Sequence, residues 1–196
     1  MSLVVALIWG ALDRGRTNLR QLDRWFRIYL RLFLATVLFS YGWAKVLPVQ
    51  FPALGPERLS ESFGEASPSG FLWAFMGYSK AYMAFGGAGE VVAGLLLCFR
   101  RTTTLGALIG MAVMSNVVAL NYAFDVGVRI DSTCYLLALT YLAAPDAKRL
   151  VDMLVVGRPT TPALPGVSLT RWQHRLTVVA PAVLAAYFFA SNARGA

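Results

Sequence analysis

The sequence predicts an all-α protein, namely a polytopic bundle of membrane-spanning helices. Hydrophobic residues form 57% of the 196-residue chain and charged residues only 14%, against about 45–50% and about 25% in soluble domains. The mean hydropathy is +0.57. Basic residues flank five apolar blocks instead of forming one stripe, so membrane topology accounts for the net charge of +8. We therefore expect the lipid bilayer as a partner and no nucleic acid.

The five apolar blocks differ in their capacity to cross a membrane. Residues 26–47, 81–99 and 105–124 reach the roughly 20 residues that a spanning helix needs. Residues 130–144 form a short block, which spans only with flanking residues, and residues 176–191 carry Pro181. The predicted organisation is an N-terminal cytoplasmic or interfacial segment (1–25), a four-helix membrane core (26–155) with a long outer loop (48–79), a cytoplasmic linker (156–175), and an additional transmembrane helix (176–196).

Three segments outside the spans are predicted to lie at the membrane surface. Residues 3–12 are interpreted as an uncleaved interfacial segment, since their arginines follow the apolar stretch. The outer loop becomes aromatic and predicts a re-entrant or interfacial helix near residues 70–76, for which an aromatic belt is favoured over a binding lid. Residues 147–155 alternate apolar and charged positions with the spacing of an interfacial helix.

The placement of lysine and arginine predicts the orientation. Basic residues precede the first span, fill the turn between the second and third (Arg100, Arg101), and follow the fourth. The outer loop instead carries several glutamates. Because cytoplasmic loops are enriched in Lys and Arg, we expect a multi-pass protein of the bacterial cytoplasmic (inner) membrane with its N-terminus inside.

Glu90 is the most informative position, because it lies within an apolar block long enough to span a bilayer. A carboxylate at that depth is costly and usually faces the bundle interior or a wet cavity, where it marks a ligand or proton site. Gly86, Glu90 and Gly94 recur every four residues and are expected to share a close-packing helix face. Gly106 and Gly110 predict a similar face on the third span.

Further polar residues are predicted to lie near Glu90. Asn116 and Glu90 lie about 12 and 13 Å from the outer ends of their spans, at 1.5 Å per residue, and Tyr41 lies near that level. A second layer lies nearer the outer surface: Lys45, Asn121, Asp125, Arg129 and Asp131. Asn121 and Asp125 are four residues apart and are expected on one face. Lys45 and Arg129 are the natural countercharges, and the layer forms either a polar funnel or structural ion pairs.

Other catalytic chemistry is sparse in the sequence. Cys98 and Cys134 fall at opposite depths, so no disulfide is expected between them. The single histidine, His174, lies between arginines and is interpreted as an interfacial residue, not as a haem or metal ligand. No catalytic residue and no metal site are assigned.

Four stretches together resemble the DoxX-like family of small bacterial integral membrane proteins. They are RLFLATVLFSYGWAKVLP (31–48), GGAGEVVAGLLLCFRRTTTLGAL (86–108), VMSNVVALNYAFDVGVRIDS (113–132) and YLAAPDAKRL (141–150). The resemblance implies a four-helix membrane core, to which the fifth helix is an addition. It also implies a family-like polar set: Lys45, Glu90, Asn116, Asn121 and Asp125. Some members of that family resemble the small subunit of a thiosulfate:quinone oxidoreductase.

Three functional hypotheses remain open. The preferred one is a membrane subunit of a redox system, in which Glu90 and Asn116 contact a quinone and a soluble or membrane-bound oxidoreductase partner supplies the electrons. The second is a small-molecule carrier or sensor coupled to protonation of Glu90, which would require a homo-oligomer or a partner. The third is a structural scaffold. The cofactor is unknown, with a quinone as the candidate.

Overall fold

The computed structural model describes residues 19–51 and 53–159, together with residues 179, 183, 186–191 and 193. Every regular element in these residues is a helix and none is a strand, so the all-α prediction is confirmed. The chain divides into two compact units, Met1–Leu30 and Arg31–Ala196. The predicted interfacial segment at residues 3–12, most of the linker and most of the fifth span lie outside the described residues.

Seven α-helices and one 3₁₀ turn lie within residues 19–159, and residues 186–191 are also helical. The elements within residues 19–159 are α1 (Leu19–Val46), α2 (Pro56–Ser60), α3 (Pro68–Tyr78), α4 (Lys80–Cys98), α5 (Thr103–Ala123), α6 (Arg129–Ala143), the 3₁₀ turn Ala144–Asp146 and α7 (Ala147–Leu154). The last of these matches the helix predicted at residues 147–155.

Two of the helices, α4 and α5, are long and apolar enough to cross a membrane, with 19 and 21 residues. They coincide with the second and third predicted spans. Helix α6 has 15 residues, or about 22 Å at 1.5 Å per residue, less than the roughly 30 Å of a hydrocarbon core. Its shortness agrees with the short fourth apolar block.

The first unit contributes the beginning of α1 to the described residues. Asp23 Oδ2 accepts a hydrogen bond from Arg27 Nε at 2.9 Å, a pairing of residues four apart on one helix face. Leu22, Trp25 and Tyr29 are exposed on this part of the helix.

In the second unit, α5 packs against both α4 and α6 through small residues. A Cβ added to Gly106 would lie 2.9 Å from the Leu96 side chain, and one added to Gly110 would lie 3.0 Å from Leu139. Both glycines are buried. The close-packing face predicted at Gly106 and Gly110 is therefore present.

The contact between α1 and α4 also depends on glycine, but not on the set that the sequence predicts. A Cβ on Gly87 would lie 2.6 Å from the Gly42 carbonyl oxygen, and one on Gly94 would lie 3.2 Å from that of Ala35. No described atom outside the adjoining turns of α4 lies within 4 Å of a Cβ placed on Gly86. The prediction for Gly86 is wrong because neighbouring helical residues point about 100° apart, so only one of Gly86 and Gly87 can face α1.

Helix α3 packs across the end of the second unit where α4 begins and α5 ends. Phe51, Leu72, Met76, Met83 and Val126 form a buried cluster there. The helix starts at Pro68, and the hydroxyl of Ser67 accepts a hydrogen bond from Gly70 N at 3.1 Å, as expected of an N-cap. The helix predicted near residues 70–76 is thus present and slightly longer.

Candidate functional site

A cavity of about 550 Å³ lies in the second unit between side chains of α1, α3, α4, α5 and α6. Its wall is largely apolar, with leucine, valine, methionine and aromatic residues. The polar residues on the wall include Tyr41, Lys45, Gln50, Glu90, Asn116, Asn121, Asp131, Ser132 and Tyr135. Ligand sites are typically cavities of about 300–1,000 Å³ with apolar walls and a few polar groups, so this cavity has the size and character of a ligand site.

The polar centre of the cavity wall is an ion pair between α1 and α4. Lys45 Nζ donates a hydrogen bond to Glu90 Oε1, and the two side chains are only 9% and 1% exposed. The Gly42–Gly87 contact one turn away holds the two helices close. Each charge compensates for the desolvation of the other, which is the condition for burying either of them.

Two acceptor atoms of residues that line the cavity have no hydrogen-bond partner in the described part of the chain. They are Glu90 Oε2 and Gln50 Oε1, and both are buried. A buried acceptor left without a partner costs about 1–3 kcal/mol. A ligand that donates hydrogen bonds to these oxygens would recover part of that cost.

The structure brings six of the eight predicted site residues to this cavity. They are Tyr41, Lys45, Glu90, Asn116, Asn121 and Asp131. Asn121 is buried and its Nδ2 donates to Ser132 Oγ at 3.0 Å, which ties α5 to α6. Asn116 and Asp131 are exposed. The cavity is therefore open on the side of these two residues, and the ion pair lies on its buried side.

Asp125 and Arg129 are not on the cavity wall. Helix α5 ends at Ala123, and Asp125 has a φ of 55°, in the left-handed region that aspartate tolerates better than most residues. The expectation that Asn121 and Asp125 share a helix face is therefore wrong, because the helix ends between them. Asp125 Oδ1 and Arg129 Nη1 form an ion pair at 2.6 Å, and the Asp125 side chain is 71% exposed.

Sequence reasoning missed the contribution of the outer loop to the site. Leu72, Trp73 and Met76 of α3, together with Gln50 and Phe51, line the cavity. The adjoining side of α3 exposes Phe71, Phe75 and Tyr78. Helix α3 thus has two faces. The buried face, with Leu72 and Met76, covers the site, and the other face is aromatic and exposed. Their spacing of four residues was the available signal.

The two cysteines are both free, Cys98 buried and Cys134 exposed. The prediction that they do not form a disulfide is confirmed.

The described residues define an all-helical protein that has two helices of membrane-crossing length and a largely apolar cavity with a buried ion pair on its wall. The chain is similar to a Bacillus subtilis (strain 168) protein described as uncharacterized protein YwoB, with 41% identity over 125 residues, 63% of this chain and 78% of that protein. It belongs to the same family as YwoB. No protein-family model matches the chain, and no solved structure matches it significantly. The resemblance to the DoxX-like family stays a prediction.

Proposed function

We propose that this chain is a multi-pass protein of the bacterial cytoplasmic membrane that binds a quinone-class molecule at the Lys45–Glu90 pair, as a subunit of a membrane redox system. The observation that carries the proposal is the buried ion pair on the wall of a largely apolar cavity of about 550 Å³, with Glu90 Oε2 still able to accept a hydrogen bond.

The chemistry of the pair suits a molecule with an apolar body and a polar head. Lys45 is a donor and can offer a hydrogen bond to a quinone carbonyl, while Glu90 Oε2 accepts one from the hydroxyl of the reduced form. Leu72, Met76 and Val126 supply apolar contacts for the rest of the molecule. Donor and acceptor side by side would support binding in both oxidation states.

Electrons would have to come from a partner. The sequence carries no Cys-x-x-Cys pair, and its one histidine cannot ligate a bis-histidine haem. We therefore place this chain beside a soluble or membrane-bound oxidoreductase, in line with the resemblance to DoxX-like proteins. In this arrangement the chain positions the quinone, and the partner exchanges electrons with it.

The proposed topology has four crossings in the core, α1, α4, α5 and α6, with the N-terminus inside and a fifth crossing at residues 176–196. The turn between α4 and α5 carries Arg100 and Arg101, and the first turn of α7 carries Lys148 and Arg149. The outer loop carries Glu57, Glu61 and Glu65, which fits the rule that cytoplasmic loops are basic.

Cysteine labelling in intact cells tests this topology. In a variant without native cysteines, Ser62→Cys in the outer loop should react with a membrane-impermeant maleimide, whereas Lys148→Cys should react only after lysis. Both positions are exposed, so accessibility differs only through the membrane. Equal labelling of the two before lysis would refute the proposed orientation.

Native mass spectrometry of the detergent-purified protein, combined with lipid extraction, tests the ligand. Wild type should carry a quinone that Glu90→Gln loses, because the substitution removes the charge and one acceptor from the pair. Asp125→Asn is the matched control, since it makes the same chemical change at an exposed site outside the cavity. It should retain the quinone.

The alternatives give different results in the same experiment. A bound molecule of another class that is lost in Glu90→Gln would favour a carrier or sensor. A scaffold would be favoured if wild type carries no ligand and if wild type and Glu90→Gln have the same thermal stability and the same partners. Either result would reject the quinone proposal.

A further inference from the structure

Arg31 is the second buried cation on the face of α1 that packs against α4. It is only 5% exposed, and it precedes Lys45 by 14 residues, or about 21 Å along the helix. Ala35, one turn after Arg31, contacts α4 at Gly94. Arg31 therefore lies at the end of the α1–α4 interface that is remote from the ion pair.

The guanidinium of Arg31 presents a complete bidentate edge without a partner. Its Nε and Nη2 are both buried and neither is hydrogen-bonded within the part of the chain that the structure describes. The N–H groups of these two nitrogens point in parallel along one edge, which is the arrangement that binds two oxygens of a carboxylate or phosphate. A single missing bond could reflect imperfect packing, but two on one edge match the shape of an oxyanion.

The surroundings of this edge increase its need for an anion. Arg100, in the turn after α4, is a like charge that acts on Arg31 electrostatically. The Cys98 thiol donates to the Gly94 carbonyl oxygen at 3.2 Å, so its proton is engaged within α4. No described carboxylate pairs with Arg31. A buried charge of this kind is strongly unfavourable unless something compensates for it.

We propose that Arg31 is the bidentate ligand of a phosphate-type oxyanion, at the end of the α1–α4 interface opposite the Lys45–Glu90 pair. A phosphate group is favoured over a carboxylate because it has oxygens beyond the two that engage Arg31, and a second cation, Arg100, acts electrostatically on the same site. The site is separate from the cavity and does not depend on what the cavity binds. The oxyanion is either the phosphodiester of a phospholipid or free phosphate.

Thermal unfolding in a phosphate-free maltoside detergent tests the site with the full chain. Three conditions are compared at equal ionic strength: sodium chloride alone, inorganic phosphate, and a short-chain phosphatidylglycerol. An oxyanion at about 100 times its dissociation constant that binds only the folded protein should raise the Tm by roughly 5–10 °C in a chain of this size. A response to phosphatidylglycerol alone identifies a lipid headgroup, and a response to inorganic phosphate identifies a free anion.

Variants of Arg31 test whether the rise in Tm depends on the guanidinium edge. Arg31→Met should abolish the rise in Tm. Arg31→Lys keeps the charge but loses the parallel donors, and should weaken the apparent affinity by about 10-fold to 100-fold. Lys148→Gln removes an exposed cation of α7 and should leave the response unchanged.

Several results would overturn the proposal. Equal Tm values for wild type in chloride, phosphate and phosphatidylglycerol would show that no such site exists. An unchanged response in Arg31→Met, or an equal loss in Lys148→Gln, would assign the effect to the general positive charge. If Arg31→Met does not fold, the wild-type conditions and Arg31→Lys still decide the matter.

Discussion

Lys45 and Arg31 lie on the same face of α1 and are buried against the same neighbouring helix, yet only one of them has a counter-ion in the described chain. Lys45 pairs with Glu90, whereas the Nε and Nη2 of Arg31 have no partner there. Burial excludes water equally from both, so their electrostatic requirements are the same. The comparison indicates that the charge of Lys45 is compensated within the chain. The charge of Arg31 is compensated by an anion from outside the chain.

The largest effect is expected from removing Lys45. Lys45→Met leaves the Glu90 carboxylate buried without its cation and should lower the free energy of unfolding by about 3–5 kcal/mol. Equilibrium unfolding in detergent micelles measures this. The double variant Lys45→Met/Glu90→Met removes both charges and should recover most of the loss. A double variant as unstable as the single one would show that the pair does not act as a unit.

A smaller effect should follow from adding a side-chain atom to the α1–α4 contact beside the ion pair. Gly87→Ala places a Cβ 2.6 Å from the Gly42 carbonyl oxygen and 2.7 Å from Lys45 Cβ, so it should destabilise the protein by about 1–3 kcal/mol.

Gly86→Ala is the matched control, because no described atom outside the adjoining turns of α4 lies within 4 Å of its new Cβ. Alanine is the better helix former, so this variant should be stabilised by up to about 1 kcal/mol. Equal effects of the two substitutions would mean that the rotation of α4 differs from the one described.

Arg31→Met should differ from Lys45→Met in sign or in size. With chloride as the only anion, methionine removes a buried charge that has no partner in the described chain. The free energy of unfolding should then fall by less than about 1 kcal/mol or should rise. The measurement is the same unfolding experiment in detergent. A loss of several kcal/mol would show that Arg31 has a counter-ion within the chain, and the contrast with Lys45 would disappear.

The smallest effect is expected at the exposed pair of Asp125 and Arg129. Asp125→Asn removes the ion pair but keeps a residue that tolerates the φ of 55°. Because the Asp125 carboxylate is 71% exposed, the change in the free energy of unfolding should stay within about 0.5 kcal/mol. A larger loss in the same unfolding assay would mean that exposure is a poor guide to the strength of ion pairs in this protein.

The sequence predicts those residues of the candidate site that have a recognisable local sequence pattern. Glu90 is recognisable because an acid in an apolar block is rare, and Lys45 because few cations lie near its level. Asp125 was misplaced because no glycine or proline marks the end of α5 at Phe124. Arg31 lies within the predicted first span of residues 26–47, and its position there carried no prediction of a site. Its burial depends on the packing against α4, which has no signature in the sequence.

Composition and block length by themselves determined the helical class, the two helices of membrane-crossing length and the presence of a carboxylate and an amine within apolar surroundings. The tertiary structure decided which helix face meets which, and hence that Gly87 and not Gly86 contacts α1, that α3 walls the cavity, and that Arg31 is buried without a partner in the described chain. The physical reason is that hydrophobic length is a sum over residues, while the rotation of a helix is determined by contacts between helices. A shift of one residue turns a side chain by about 100°, which is the difference between Gly86 on the cavity wall and Gly87 in the helix contact.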